Sequence, residues 1–293
     1  MSNVTRALAL VLVMGLAIAI FSQTVQVQAR VASPNAVIEV YPGVNAIRKA
    51  LKNANPGDTL NIHVGTYNEA VNVKKANITL RSAGDGEVII DPQCNAVTGI
   101  NMNAEGITIK GLTVRGATFY AINLEHRASG VVRGNTVDNT CPGAQYGVNV
   151  FDGGSIKVAG NGGTGWDDAV IYIGGINATP SGALVVKNTN ATGSVRGIII
   201  EDSANVNIKV LKNNVHDNTD TGILIHNSDG VLIKENTVTN NVSKGIHLDA
   251  PSDNNVVRDN TFTGHTTDIL NDGTGNCFSG NTYTTSSGPI DPC

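Results

Sequence analysis

The chain reads as an all-β solenoid of stacked parallel strands, on the strength of two recurrences and one absence. Asn135, Asn161, Asn188, Asn213, Asn236, Asn260 and Asn281 follow one another at steps of 26, 27, 25, 23, 24 and 21 residues. The residue three before each is apolar, from Val132 to Phe278. A small residue followed by an aliphatic one recurs in the same phase, at Gly99-Ile100, Ala121-Ile122, Gly147-Val148, Ala169-Val170, Gly197-Ile198, Gly222-Ile223 and Gly245-Ile246. No unit of this period contains a helical pattern, so each is one turn of a coil built from short strands. Clusters such as Asn227-Ser228-Asp229-Gly230 supply the bends. Coils stacked about 4.8 Å apart would bring asparagines of one phase into an internal ladder, each amide satisfied by the next turn.

The elements follow in order along the chain. Arg6 precedes fifteen apolar residues, 7–21, and Val27-Gln28-Ala29 offers small residues where a signal peptidase reads. Residues 1–29 are therefore expected to be a signal peptide and 30–293 a single domain, secreted or periplasmic and free of the membrane once cleaved. Fifteen apolar residues fall short of the roughly 20 that a spanning helix needs. Ala46, Ile47, Ala50, Leu51 and Ala54 recur at helical spacing and stop at Pro56-Gly57, which predicts one amphipathic helix over 44–54, lying across the first coil as a cap. Strands are predicted at 59–64, 70–73, 78–81 and 88–90, and the repeats begin at about residue 97. The four cysteines show no Cys-x-x-Cys spacing, which favours disulfides over zinc. Cys277 with Cys293 would tie the tail back over the last coil. Cys94 and Cys141 precede coils two apart, about 10 Å by strand spacing, so their pairing requires a loop to lean.

Composition agrees: 33 glycines, 15% charged residues and 41% apolar residues describe a turn-rich chain with ample core. The formal charge is −4, and removal of Arg6 with the leader makes it −5, which argues against a nucleic-acid partner.

The opening segment 38–90, with Pro56-Gly57-Asp58-Thr59, Gly65-Thr66-Tyr67, Val71-Asn72-Val73 and Ile78-Thr79-Leu80, resembles the start of right-handed parallel β-helix proteins of the pectin-lyase-like superfamily. The Asn-Thr-aliphatic coils resemble that superfamily's repeats, including those of periplasmic proteins that assist nitrous oxide reductase maturation. The resemblance spans essentially the whole mature chain and implies a right-handed parallel β-helix. It is silent on activity, because the fold carries lyases, hydrolases, esterases, epimerases, phage spikes and surface proteins. Polygalacturonases carry a paired aspartate followed by Gly-His-Gly and Arg-Ile-Lys; here Asp167-Asp168 stands without the other two. The Asp-Pro-His-Asp of mannuronan epimerases has only Asp91-Pro92-Gln93-Cys94 as its counterpart.

Coil phase nevertheless assembles a surface column. The residue before each small-aliphatic marker is Tyr120, Tyr146, Asp168, Arg196, Thr221, Lys244 or Thr267, and those after it supply Glu125, His126, Asp152, Glu201, Asp202, His226, His247 and Asp249. A lyase or epimerase acting on a uronate must neutralise a carboxylate, remove the C5 proton and protonate the leaving oxygen. Arg196 and Lys244 suit the first task; His226, His247, Lys244 and Tyr146 suit the others. Tyr120, Tyr146, Asp168 and the single Trp166 are candidates for holding sugar, Trp166 by stacking on a pyranose ring. The resemblance further implies a Ca²⁺ site at carboxylates such as Glu201 and Asp202. Two function classes stand: an exported polysaccharide-binding or polysaccharide-processing protein of lyase or epimerase type, and a non-catalytic surface or scaffold β-helix.

Overall fold

Residues 35–125, 128–176, 184–204 and 207–293 are described by a computed structural model of the chain. The leader expected at 1–29, and His126, lie outside these residues. The fold is a right-handed parallel β-helix. Each coil gives one strand to each of three sheets, as in Ile107–Lys110, Thr113–Val114 and Tyr120–Glu125, followed by Gly130–Arg133, Thr136–Asp138 and Tyr146–Phe151. The sheets have twelve, nine and ten strands among the described residues, and every pairing is parallel with coil stacked on coil.

Inward positions stack like on like. Ile100, Ile122, Val148, Ile171, Ile198, Ile223, Ile246 and Ile269 form one register row of the ten-stranded sheet, all fully buried. β-Branched side chains fit this pleated, half-buried surface and have few rotamers to lose.

The chain turns from the twelve- to the nine-stranded sheet on one left-handed residue: Gly111, Gly134, Gly160, Asn188, Lys212, Glu235, Asp259 or Gly280, with φ between 50° and 69°. The next residue points inward and forms the ladder. Asn135, Asn161, Asn213, Asn236, Asn260 and Asn281 occupy it, and each side-chain oxygen accepts the backbone N–H of the ladder residue one coil earlier or, for Asn135, that of Leu112. Asn188 does not. It is the exposed left-handed residue of its turn, and the ladder position belongs to Thr189, whose Oγ1 has no partner. Further columns line other corners, one of Ser203, Ser228 and Ser252 and another of Asn218 and Asn241.

The helix, Ala46–Asn53, buries Ile47 and Leu51 over the first coil. Both its ends are held from the bends on either side of the strand Val71–Val73. The Glu69 carboxylate accepts the N–H groups of Ile47 and Arg48 at 2.9 and 3.0 Å, and the Lys75 ammonium donates to the carbonyls of Leu51, Lys52 and Ala54. An anion at the first turn and a cation at the last both complement the helix dipole.

Cys277 is bonded to Cys293 at the far end, and Cys94 to Cys141, with no cysteine left free. The second bond spans two coils because the intervening turn is thin there. Gly116, at φ 71°, accepts the Cys94 N–H on its carbonyl, and a Cβ on it would lie 2.0 Å from an Asp91 oxygen. The two Cα atoms are 5.8 Å apart.

Candidate functional site

The outward face of the ten-stranded sheet carries three rows: the second and third follow from alternate residues pointing the same way, and the first is the residue just before two consecutive inward ones, such as Ala121 and Ile122. Tyr120, Tyr146, Ala169 and Arg196 are register partners in the first, as are Thr221, Lys244 and Thr267. Asn123, Asn149, Tyr172, Ile199, Leu224 and His247 form the second. Glu125, Phe151, Gly174, Glu201 and His226 form the third. The marker at Ala169-Val170 is thus one residue out of register. Val170 takes the inward place that Gly147 and Gly197 hold elsewhere, and Ala169, not Asp168, stands in the row.

Arg196, His226, Lys244 and His247 line one cleft of about 370 Å³ together with Asp168, Glu201, Asp220 and Asp249. Arg196 is ion-paired with Asp168 and, at 3.5 Å, with Asp220. His226 binds Asp249 through Nδ1, and its Nε2 lies 3.7 Å from Glu201. The hydrogen bond to Asp249 raises the His226 pKa against the opposing effect of burial. His247 Nε2 is 2.9 Å from Asp272. Lys244 donates to Ser243 Oγ at 3.2 Å and makes no ion pair among the described residues.

A second depression of about 400 Å³ on the same face is lined by Phe119, Tyr120, Tyr146, Phe151 and Tyr172, with Glu125 and Asn149. The Tyr120 and Tyr146 rings stack with centroids 6.0 Å apart, and Phe119 meets both edge-on. Tyr146 donates its hydroxyl to Asp168 at 2.9 Å, so one residue joins the aromatic depression to the charged cleft. Burial, then the Asp168 charge, pushes the Tyr146 pKa up. A phenol so held keeps its proton, which removes Tyr146 from the candidate bases. The Tyr172 pKa is raised in the same way, by burial and by its bond to Glu201.

Trp166 is not on this face. Its indole is 1% exposed in the core, with Nε1 donating to the Val137 carbonyl at 3.1 Å. The turn before Ala169 folds inward over Gly147, where a Cβ would come within 3.0 Å of the indole nitrogen. The ring expected to stack on sugar is instead a core residue. Its place on the surface is taken by Phe119, Phe151 and Tyr172, which the coil phase missed. The even spacing of Tyr120, Tyr146 and Tyr172 was the available signal.

Among the described residues no three His, Cys, Asp or Glu side chains come together as a metal site. Glu201 bonds Tyr172, and Asp202 accepts from Asn227 at 2.7 Å, so both carboxylates already serve protein donors.

A family model described as right handed beta helix region matches residues 98–262, more than half of the chain. No curated protein matches. Among solved structures, pectate lyase Pel9A is similar with a TM-score of 0.67 at 15% identity, over 88% of this chain and 79% of that one. An alginate lyase from Paenibacillus sp. str. FPU-7 gives 0.56 at 16% identity, over 86% and 99%. A tailspike protein of E. coli bacteriophage HK620, in complex with a hexasaccharide, gives 0.51 at 13% identity, over 88% and 57%. The chain belongs to the right-handed β-helix family.

Proposed function

We propose that the outward face of the ten-stranded sheet binds a polysaccharide, with sugar rings against the aromatic depression and one sugar held in the cleft of Arg196, His226, Lys244 and His247. The observation that carries this reading is the adjacency of the two surfaces: aromatic rings offer apolar faces for pyranoses, and convergent polar groups beside them fix orientation. The names of the similar structures, two polysaccharide lyases and a spike holding an oligosaccharide, support the same ligand class.

The finer reading is cleavage of a uronate by β-elimination. Arg196 is balanced by Asp168 and Asp220, so Lys244, which lacks an acidic partner, is the cation for the substrate carboxylate. His247, donating Nε2–H to Asp272, leaves Nδ1 to take the C5 proton. The electron pair forms the C4–C5 double bond, the C4–O bond breaks, and the leaving oxygen takes a proton from His226. The hydrogen bond to Asp249 keeps His226 protonated to higher pH. A second reading rests on the charge count: Asp168, Glu201, Asp220 and Asp249 outnumber Arg196 and Lys244 in the cleft, which favours a neutral sugar whose hydroxyls donate to carboxylates. Export belongs to the proposal too, since all four cysteines are bonded. No helix of the described residues is long and apolar enough to cross a membrane.

The test is to incubate the purified protein with polygalacturonate, alginate and neutral glucan oligomers while following unsaturated-uronate absorbance and calorimetric binding. Turnover of an acidic oligomer, abolished by Lys244→Ala with little change in melting temperature, is the expected result. Binding of neutral oligomers alone selects the second reading. No affinity for any oligomer at millimolar concentration overturns both and leaves a scaffold protein.

A further inference from the structure

A different face carries a charge pattern that the cleft does not use. Eight consecutive strands of the twelve-stranded sheet, from Thr79–Ser82 to Val256–Arg258, each bear one basic residue and no acidic or aromatic one. Arg81, Lys110, Arg133, Lys187, Lys234 and Arg258 fall in a single register row, together with Ala159 and Leu211. In the two strands where that row holds Ala159 or Leu211, the cation stands two residues earlier on the same face, as Lys157 and Lys209. All eight are at least partly exposed. The face thus carries one cation per coil over eight coils, in a chain whose net charge is −4.

Folding alone does not favour this arrangement. Like charges opposite one another across neighbouring strands are destabilising, and these lie about 4.8 Å apart along the coil axis. Nor are they neutralised by the protein. Lys234 pairs with Glu235 and Asp259, but Lys110, Arg133, Lys157, Lys187 and Lys209 make no ion pair among the described residues. Three of these five, Arg133, Lys157 and Lys187, line a common depression of about 240 Å³.

We propose that this face binds a linear acidic polysaccharide lying along the coil axis, its anionic groups meeting successive coils over about 34 Å, seven steps of strand spacing. A single file of cations fits a single file of anions. The absence of aromatic residues from all eight strands argues against single-stranded nucleic acid, whose bases are held by aromatic stacking. The face is separate from the cleft, and the two surfaces stand or fall independently.

The experiment measures polygalacturonate binding by calorimetry in a Lys244→Ala background, which removes the unpaired cation of the cleft. Adding Arg133→Gln, Lys157→Gln and Lys187→Gln should weaken binding at least about tenfold, with a melting temperature equal to or above the parent's because repulsion is relieved. Raising salt from about 0.1 to about 1 M, which shortens the Debye length from about 10 to about 3 Å, should abolish binding by the parent. Equal affinity of the parent and the triple variant overturns the proposal. So does binding of a single-stranded oligonucleotide as tight as that of polygalacturonate, since the face would then be a nucleic-acid surface. Loss of uronate turnover in Lys244→Ala alone concerns only the cleft.

Discussion

A single ladder asparagine serves two neighbouring coils at once. The Asn236 oxygen accepts from the backbone and side-chain N–H groups of Asn213, each at 2.9 Å, and its amide donates to Val210 and to Asn260. Asn236→Leu leaves these buried groups unpaired, at about 1–3 kcal/mol each, so chemical denaturation should show a loss of at least about 2 kcal/mol. Asn227→Gly, at an exposed residue with φ 44°, should be nearly neutral. The broken rung gives the opposite sign: Thr189→Asn replaces a hydroxyl that has no partner with an amide in the ladder position, and stability should rise by about 1 kcal/mol. The rung was misplaced in the sequence because Val185 and Val186 are both aliphatic and asparagines stand at both 188 and 190. Periodicity then cannot choose between adjacent phases, and only the left-handed φ of Asn188 decides. In the cleft, the Asp249 bond raises the His226 pKa. If His226 is the acid, activity falls as pH rises through that pKa, and Asp249→Asn should move the alkaline limb of the kcat/KM profile to lower pH.

The two end caps are built on long-range contacts, and these account for what could be read in advance. The helix was legible from Ile47, Ala50, Leu51 and Ala54. Glu69 and Lys75, which hold its ends, lie more than twenty residues away in sequence and carry no local signature. The tail is held by Asp268, which accepts from the Thr284 and Thr285 N–H groups, the Thr284 hydroxyl and His265 Nδ1. Desolvation would raise the Asp268 pKa, but these donors outweigh it and lower the value from 3.8 to about 2. A depressed carboxylate stabilises above its unfolded value and loses that contribution as pH falls through its folded one. Wild-type stability should therefore decline by about 2 kcal/mol between pH 4 and 2, and Asp268→Asn should lack that decline in thermal scans.

Over the whole molecule, averages concealed what arrangement shows. A net charge of −4 describes the chain and hides a face with one cation per coil, because composition sums over all three sheets. The single tryptophan has a turn that precedes the charged column, which in sequence alone points to the surface, yet it packs in the core of the stack. Its emission should be blue-shifted in the folded protein and unmoved by saturating oligosaccharide, whereas exposure on unfolding should shift it red. Coils that contact only their neighbours also have two unlike ends, since all strands run the same way. The first coil of one copy is complementary to the last coil of another, a head-to-tail contact that does not close. Among the described residues, the helix with its Glu69 and Lys75 clamps and the tail tied by Cys277–Cys293 cover those ends. Deleting residues 46–54 and 282–293 together should give filaments of concentration-dependent length, seen as rising light scatter, whereas deleting either segment alone leaves one end closed and should not, so each cap acts as a polymerisation stop on a protofilament-like stack of fixed length.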